Sequence, residues 1–103
     1  YLENKKPYLN PEFKITDMAR DLFSNRTYIS AFINREYGVN FNRFINNYRL
    51  KEVERLRSEA VQKKQKVSSL EIVIHAGFSN YRSYFRAKNL VNNDAVSIGK
   101  KWN

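Results

Sequence analysis

The chain has 103 residues, no cysteine, one histidine and a formal net charge of +9. That length allows one domain, or two very small ones sharing an element. The missing thiols exclude a disulfide framework and a thiolate zinc site, the single His75 excludes a histidine-rich metal centre, and the charge predicts a polyanionic partner, nucleic acid or an acidic membrane surface.

The first turn, Tyr1 to Lys5, reads as the end of a helix. The chain opens without an initiator Met and reads as a piece of a longer protein. Pro7 and Pro11 then impose an extended or turning link, from which Leu9 and Phe13 can pack back. Thr16 is a candidate N-cap for a helix to about Phe23, with Ile15, Met18, Ala19 and Leu22 inward. After a turn at Ser24, Asn25 caps a second helix to about Tyr37, with Ile29, Phe32 and Ile33 inward and Gly38 as its left-handed stop.

Asn40 opens the longest helix, to about Glu59, on a stripe of Phe41, Phe44, Ile45, Tyr48, Val53 and Leu56. On that helix Glu52, Glu54 and Glu59 read as a solvated face, and Arg49 as a structural ion pair with a carboxylate such as Glu52 or Asp17. Gln62 to Lys66 is a polar link of open shape. Ser68-Ser69-Leu70-Glu71 reads as a capping box for a helix ending at Gly77. Ser79-Asn80 caps another helix to about Leu90, and the stretch from Val91 to Asn103 has room for a final short one. Strand-like alternation is absent, so the fold class is all-α. No apolar run approaches a membrane span, and no membrane contact is expected.

The two halves echo each other. Met18-Ala19 corresponds to Ile72-Val73, Asn25 to Asn80, Ile29 to Tyr84 and Ala31 to Arg86, with one residue inserted at Gly77-Phe78. Each half is a helix, a tight turn and a second helix, which is the layout of a helix-turn-helix. The first half carries Asn25-x-x-Tyr28-Ile29-Ser30 and then Gly38-x-x-Phe41-x-x-Phe44-Ile45-x-x-x-Arg49-x-x-x-Val53-x-x-Leu56. The second carries Ile72-Val73-x-x-x-Gly77-Phe78-Ser79-Asn80-x-x-x-Tyr84-x-Arg86.

This paired pattern, over roughly residues 7 to 87, resembles the C-terminal DNA-binding domain of AraC/XylS-type transcription regulators. The Pro7-Tyr8-Leu9-Asn10-Pro11 opening is similar to the version at the end of hybrid two-component sensor-regulators. The resemblance implies two helix-turn-helix subdomains, homeodomain-like three-helix units, joined by a long linker helix. It divides the 1–103 domain into a first unit at 7–39, a linker helix at 40–60 and a second unit at 67–103. The family has alanine where Val53 and Val73 stand, an aromatic where Lys88 stands, Gly near Asn93 and Pro near Val96. Losing a buried aromatic costs roughly 3–5 kcal/mol unless something replaces it. Either Phe85, Leu90 or Trp102 fills that place, or the end of the chain packs differently.

Base edges are read by exposed donors and acceptors near the N-terminus of each second helix. The first set of candidates is Arg26, Thr27, Ser30, Ala31, Asn34 and Arg35. The second is Ser79, Asn80, Tyr81, Arg82, Phe85 and Arg86. The resemblance puts Arg26, Thr27, Ser30 and Ala31 at the positions of Tyr81, Arg82, Phe85 and Arg86. Phosphate contacts are expected at the helix starts Thr16, Asn40 and Ser68 and at the rim residue Arg43.

The function expected is sequence-specific binding of double-stranded promoter DNA by a cytoplasmic bacterial transcription regulator. Its two recognition helices would enter major-groove segments about one helical turn, ~34 Å, apart. RNA polymerase and a sensor or effector portion of the same chain are further candidate partners. No cofactor and no catalytic site are expected, since no matched set of acid, base and nucleophile is visible. In an alternative reading only the first unit reads DNA and the second docks on a protein. A third has Tyr81, Tyr84 and Phe85 stacking on single-stranded RNA.

Overall fold

A computed structural model describes residues 1–97, with side chains through residue 93. Among them the regular elements are helical and none is a strand. In order they are α1 (Leu2–Lys5), a 3₁₀ turn (Pro7–Leu9), α2 (Ile15–Asp21), α3 (Arg26–Tyr37), α4 (Phe41–Gln62), α5 (Ser69–His75) and α6 (Tyr81–Ser97). α2–α3 and α5–α6 are two helix-turn-helix pairs, and α4, about 33 Å long at 1.5 Å per residue, joins them.

The helix starts follow from capping chemistry. The Asn25, Asn40 and Asn80 side chains accept the N–H of Tyr28, Arg43 and Ser83 at 2.9, 2.9 and 2.8 Å. Ser68 Oγ accepts the N–H of Glu71 at 3.1 Å. Each satisfies a backbone donor that the helix itself leaves orphaned. Thr16 is not the cap of α2: the helix begins one residue earlier, and the Asp17 carboxylate accepts the Lys14 N–H at 2.9 Å.

Three helices end alike. The N–H groups of Ser24, Gln65 and Phe78 reach back to the carbonyls of Ala19, Ala60 and Val73. The residue before each of them, Phe23, Lys64 or Gly77, is left-handed, with φ of 54°, 54° and 106°. This is the closure usually given to glycine. Phe23 takes it with its ring 98% exposed. Gly38, at φ 70°, stops α3 as expected. The polar link at Gln62–Lys66 is thus partly helix and partly this closure. α6 runs through Ser97 without a break, past the expected end at Leu90.

Two cores divide α4 between them. The first gathers Leu2, Tyr8, Met18, Ala19, Ile29, Ile33, Phe41, Phe44 and Ile45, with Leu9 and Phe13 packed against it. The second gathers Val53, Ile72, Val73, Ala76, Phe78, Tyr84 and Ala87. Phe32 and Leu22, expected inside, stay partly exposed along an apolar groove of about 470 Å³ that Tyr28, Tyr37 and Tyr48 also line. They face a hollow that no element of the described chain fills. Apart from α4, the main helix contacts stay within a unit, α2 on α3 and α5 on α6.

Polar side chains tie the units down. Glu52, expected on a solvated face, is only 6% exposed. It is held by Arg55 at 2.9 Å and Lys6 at 3.6 Å. Arg49 pairs with no carboxylate among the described residues: its Nε donates to the Tyr8 carbonyl at 2.8 Å, Nη2 to the Asn10 carbonyl at 3.1 Å and Nη1 to Asn46 Oδ1 at 3.0 Å. The structural role expected of it stands, with two backbone oxygens and the Asn46 side-chain oxygen as partners.

Candidate nucleic-acid interface

A helix advances about 100° per residue. On α3, residues 26, 27, 30, 31 and 34 therefore fall within an arc of about 140°, and all five are exposed. Ile29 and Ile33, outside the arc, are buried in the first core. On α6 the same arithmetic gathers Tyr81, Arg82, Phe85, Arg86 and Asn89, again all exposed, while Tyr84 and Ala87 point into the second core. The two arcs match position for position, Asn34 with Asn89. Asn89 was missed in the sequence; its signal was the four-residue step from Phe85 and the register with Asn34.

Arg35 is not part of the first arc. It lies on the side of Phe32, with its guanidinium 5.6 Å from that ring and 3.2 Å from Glu36. By contrast, Arg26, Arg82 and Arg86 have no ion-pair or hydrogen-bond partner among the described residues. Arg57 donates to the Tyr84 hydroxyl at 3.1 Å and so seats α6 on α4. Lys88, where an aromatic anchor was expected, is exposed with its ammonium 5.9 Å from the Tyr84 ring. The aromatic that this helix buries in the second core is Tyr84, one turn earlier. Phe85 and Leu90, proposed to fill the gap, are exposed, and Trp102 lies outside the described residues.

Thr16, Arg26, Ser30 and Asn40 converge on one polar hollow of about 440 Å³ at the start of α2, α3 and α4. Asn40 and Asn42 also line a second hollow, of about 290 Å³, with Arg43, Asn46, Asn47 and Leu90. The face carrying Arg26 and Ser30 thus continues along α4 to α6. Arg43 is drawn into this junction, donating to the Leu90 carbonyl at 3.2 Å. Ser68 lies outside both hollows. The side-chain oxygens of Asn40, Ser68 and Asn80 are occupied as caps. Asn40 and Asn80 keep their amide donors for a ligand.

Burial lowers the proton affinity of Arg49 from its ordinary value, which still leaves it charged at neutral pH. Among the described residues no group of three or more His, Cys, Asp or Glu could hold a metal ion. No described helix is long and apolar enough to cross a membrane.

The fold has a counterpart among solved structures. It is similar to the structure of a protein with unknown function from Listeria innocua, at 17% identity and a TM-score of 0.64, over 86% of this chain and 79% of that one. No family model matches the chain. No curated protein matches it either. The likeness establishes a shared all-helical fold with a long central helix.

Proposed function

We propose that the chain binds double-stranded DNA in a sequence-specific manner, as the DNA-binding domain of an AraC/XylS-type transcription regulator. The observation that carries this reading is the pair of matching solvent-facing arcs on α3 and α6, each seated on its own core and both attached to one helix. Arg26, Arg82 and Arg86 are unpaired among the described residues and can meet guanine edges or phosphates. Thr27, Ser30, Asn34, Tyr81 and Asn89 supply smaller polar and apolar contacts. The net charge of +9 supplies the electrostatic attraction common to any duplex. The promoter target, RNA polymerase and a sensor portion as partners, a bacterial cytoplasmic setting and the absence of catalysis all belong to this reading.

Selection of bound sites from random duplex DNA is the direct test. A consensus of two half-sites should emerge, and Arg26→Ala and Arg82→Ala should each relax preference at a separate position, by about 1–3 kcal/mol. Equal affinity for every duplex would leave only the electrostatic term and overturn sequence reading. Tighter binding of single-stranded RNA would favour stacking by Tyr81 and Phe85 instead.

A further inference from the structure

Among the described residues the two cores share no side chain, and the main contacts between helices stay within each unit or involve α4. α4 packs on helices of both units, and Arg43 on it reaches the Leu90 carbonyl of α6; a second tie lies at the other end of the junction. The turn of the second unit rests on backbone of the first at Gly77. A Cβ on Gly77 would overlap the Tyr8 carbonyl oxygen and come within 3.0 Å of both Leu9 Cα and Arg49 Nε. That same Tyr8 carbonyl accepts the Arg49 Nε hydrogen bond, and the Asn10 carbonyl accepts the one from Nη2. Asn46 Oδ1 holds the third edge of the guanidinium, fixing its plane on α4. Only a planar fork can satisfy three acceptors in this arrangement; an ammonium on a flexible stem cannot.

We propose that Arg49 is a positioning residue that sets the relative placement of the two reading helices, by clamping the Tyr8–Asn10 backbone between α4 and the Gly77 turn. The inference rests on the DNA-reading function for its consequence, though not for its geometry. A chain with this clamp presents α3 and α6 at one spacing. A chain without it keeps both readers but joins them loosely, and the gain from simultaneous engagement falls.

The chain has no cysteine, so nitroxide labels can be placed solely at introduced sites. With labels at Arg35→Cys on α3 and Asn92→Cys on α6, the parent should give one narrow distance distribution. Arg49→Gln and Arg49→Lys should both broaden it, while helical circular dichroism is retained. Asn46→Ala removes only the Nη1 acceptor; it is the mild variant if the others fold poorly, and should broaden the distribution less. On the selected duplex, Arg49→Gln should lose about 10-fold or more in affinity. It should bind a single half-site as the parent does, and tolerate an inserted base pair that the parent rejects. An unchanged distance distribution in folded Arg49→Gln or Arg49→Lys overturns the clamp. If the parent binds no duplex, the DNA reading fails while the label distances still decide the clamp.

Discussion

Glu52 carries its charge beneath the surface of α4, gripped by Arg55 through both carboxylate oxygens and approached by Lys6 from the first turn of the chain. The hydrogen bonds from Arg55 lead in holding its carboxyl below the ordinary carboxylate value, and burial opposes them. A carboxyl whose pKa is lower when folded stabilises the fold fully above its ordinary value, about 4.3. That contribution is lost as pH falls through the lower, folded value. Glu52→Gln should therefore cost roughly 1–3 kcal/mol at neutral pH, and its melting temperature should decline less than the parent's as pH drops from about 5 towards 3. Parallel acid limbs for the two proteins would refute this. The burial of Glu52 and the partners of Arg49 could not be read from the chain alone. A glutamate or arginine on a helix stripe looks solvated or paired nearby, whereas Lys6 and the Tyr8 carbonyl lie some forty residues away in sequence.

At the scale of elements, starts and stops were the most legible part, because they depend on single residues with local chemistry. Asn25, Asn40, Ser68 and Asn80 cap where expected, and Gly38 stops α3. Errors fell where local rules do not apply. A Phe occupies the left-handed position at residue 23. α6 continues to Ser97 because no proline or glycine interrupts it. The inward and outward faces of α3 and α6 followed from the 3.6 period, except for Phe32, whose hollow lacks a cover. The cap of α3 also lies at the mouth of the proposed reader, which separates stability from binding. Asn25→Ala should cost about 1 kcal/mol in unfolding by urea. Asn25→Asp should keep the cap and the stability while weakening duplex binding several-fold, through a negative charge set beside phosphate. An aspartate variant that binds as the parent does would place the N-terminus of α3 away from DNA.

The whole molecule is two small three-helix units that each claim half of one helix, and that division makes a statement about ions. Every phosphate neutralised by the protein releases counterions, and the slope of log affinity against log salt counts them at about 0.9 per contact on duplex DNA. If both units engage, a duplex with two half-sites should show about twice the slope of a duplex with one. Equal slopes would mean that a single unit touches DNA and would favour the reading in which the second docks on a protein. The overall plan was legible because the two halves repeat; how they are held together was not, since Gly77 meets Tyr8 only in three dimensions. Ile45 and Val53 are eight residues apart on α4 yet serve different cores. A core substitution in one unit therefore removes no side chain from the other core. If α3 and α6 read DNA as proposed, one helix can drift to new specificity over generations while its twin preserves the old address, so the unit of inherited change is half the molecule.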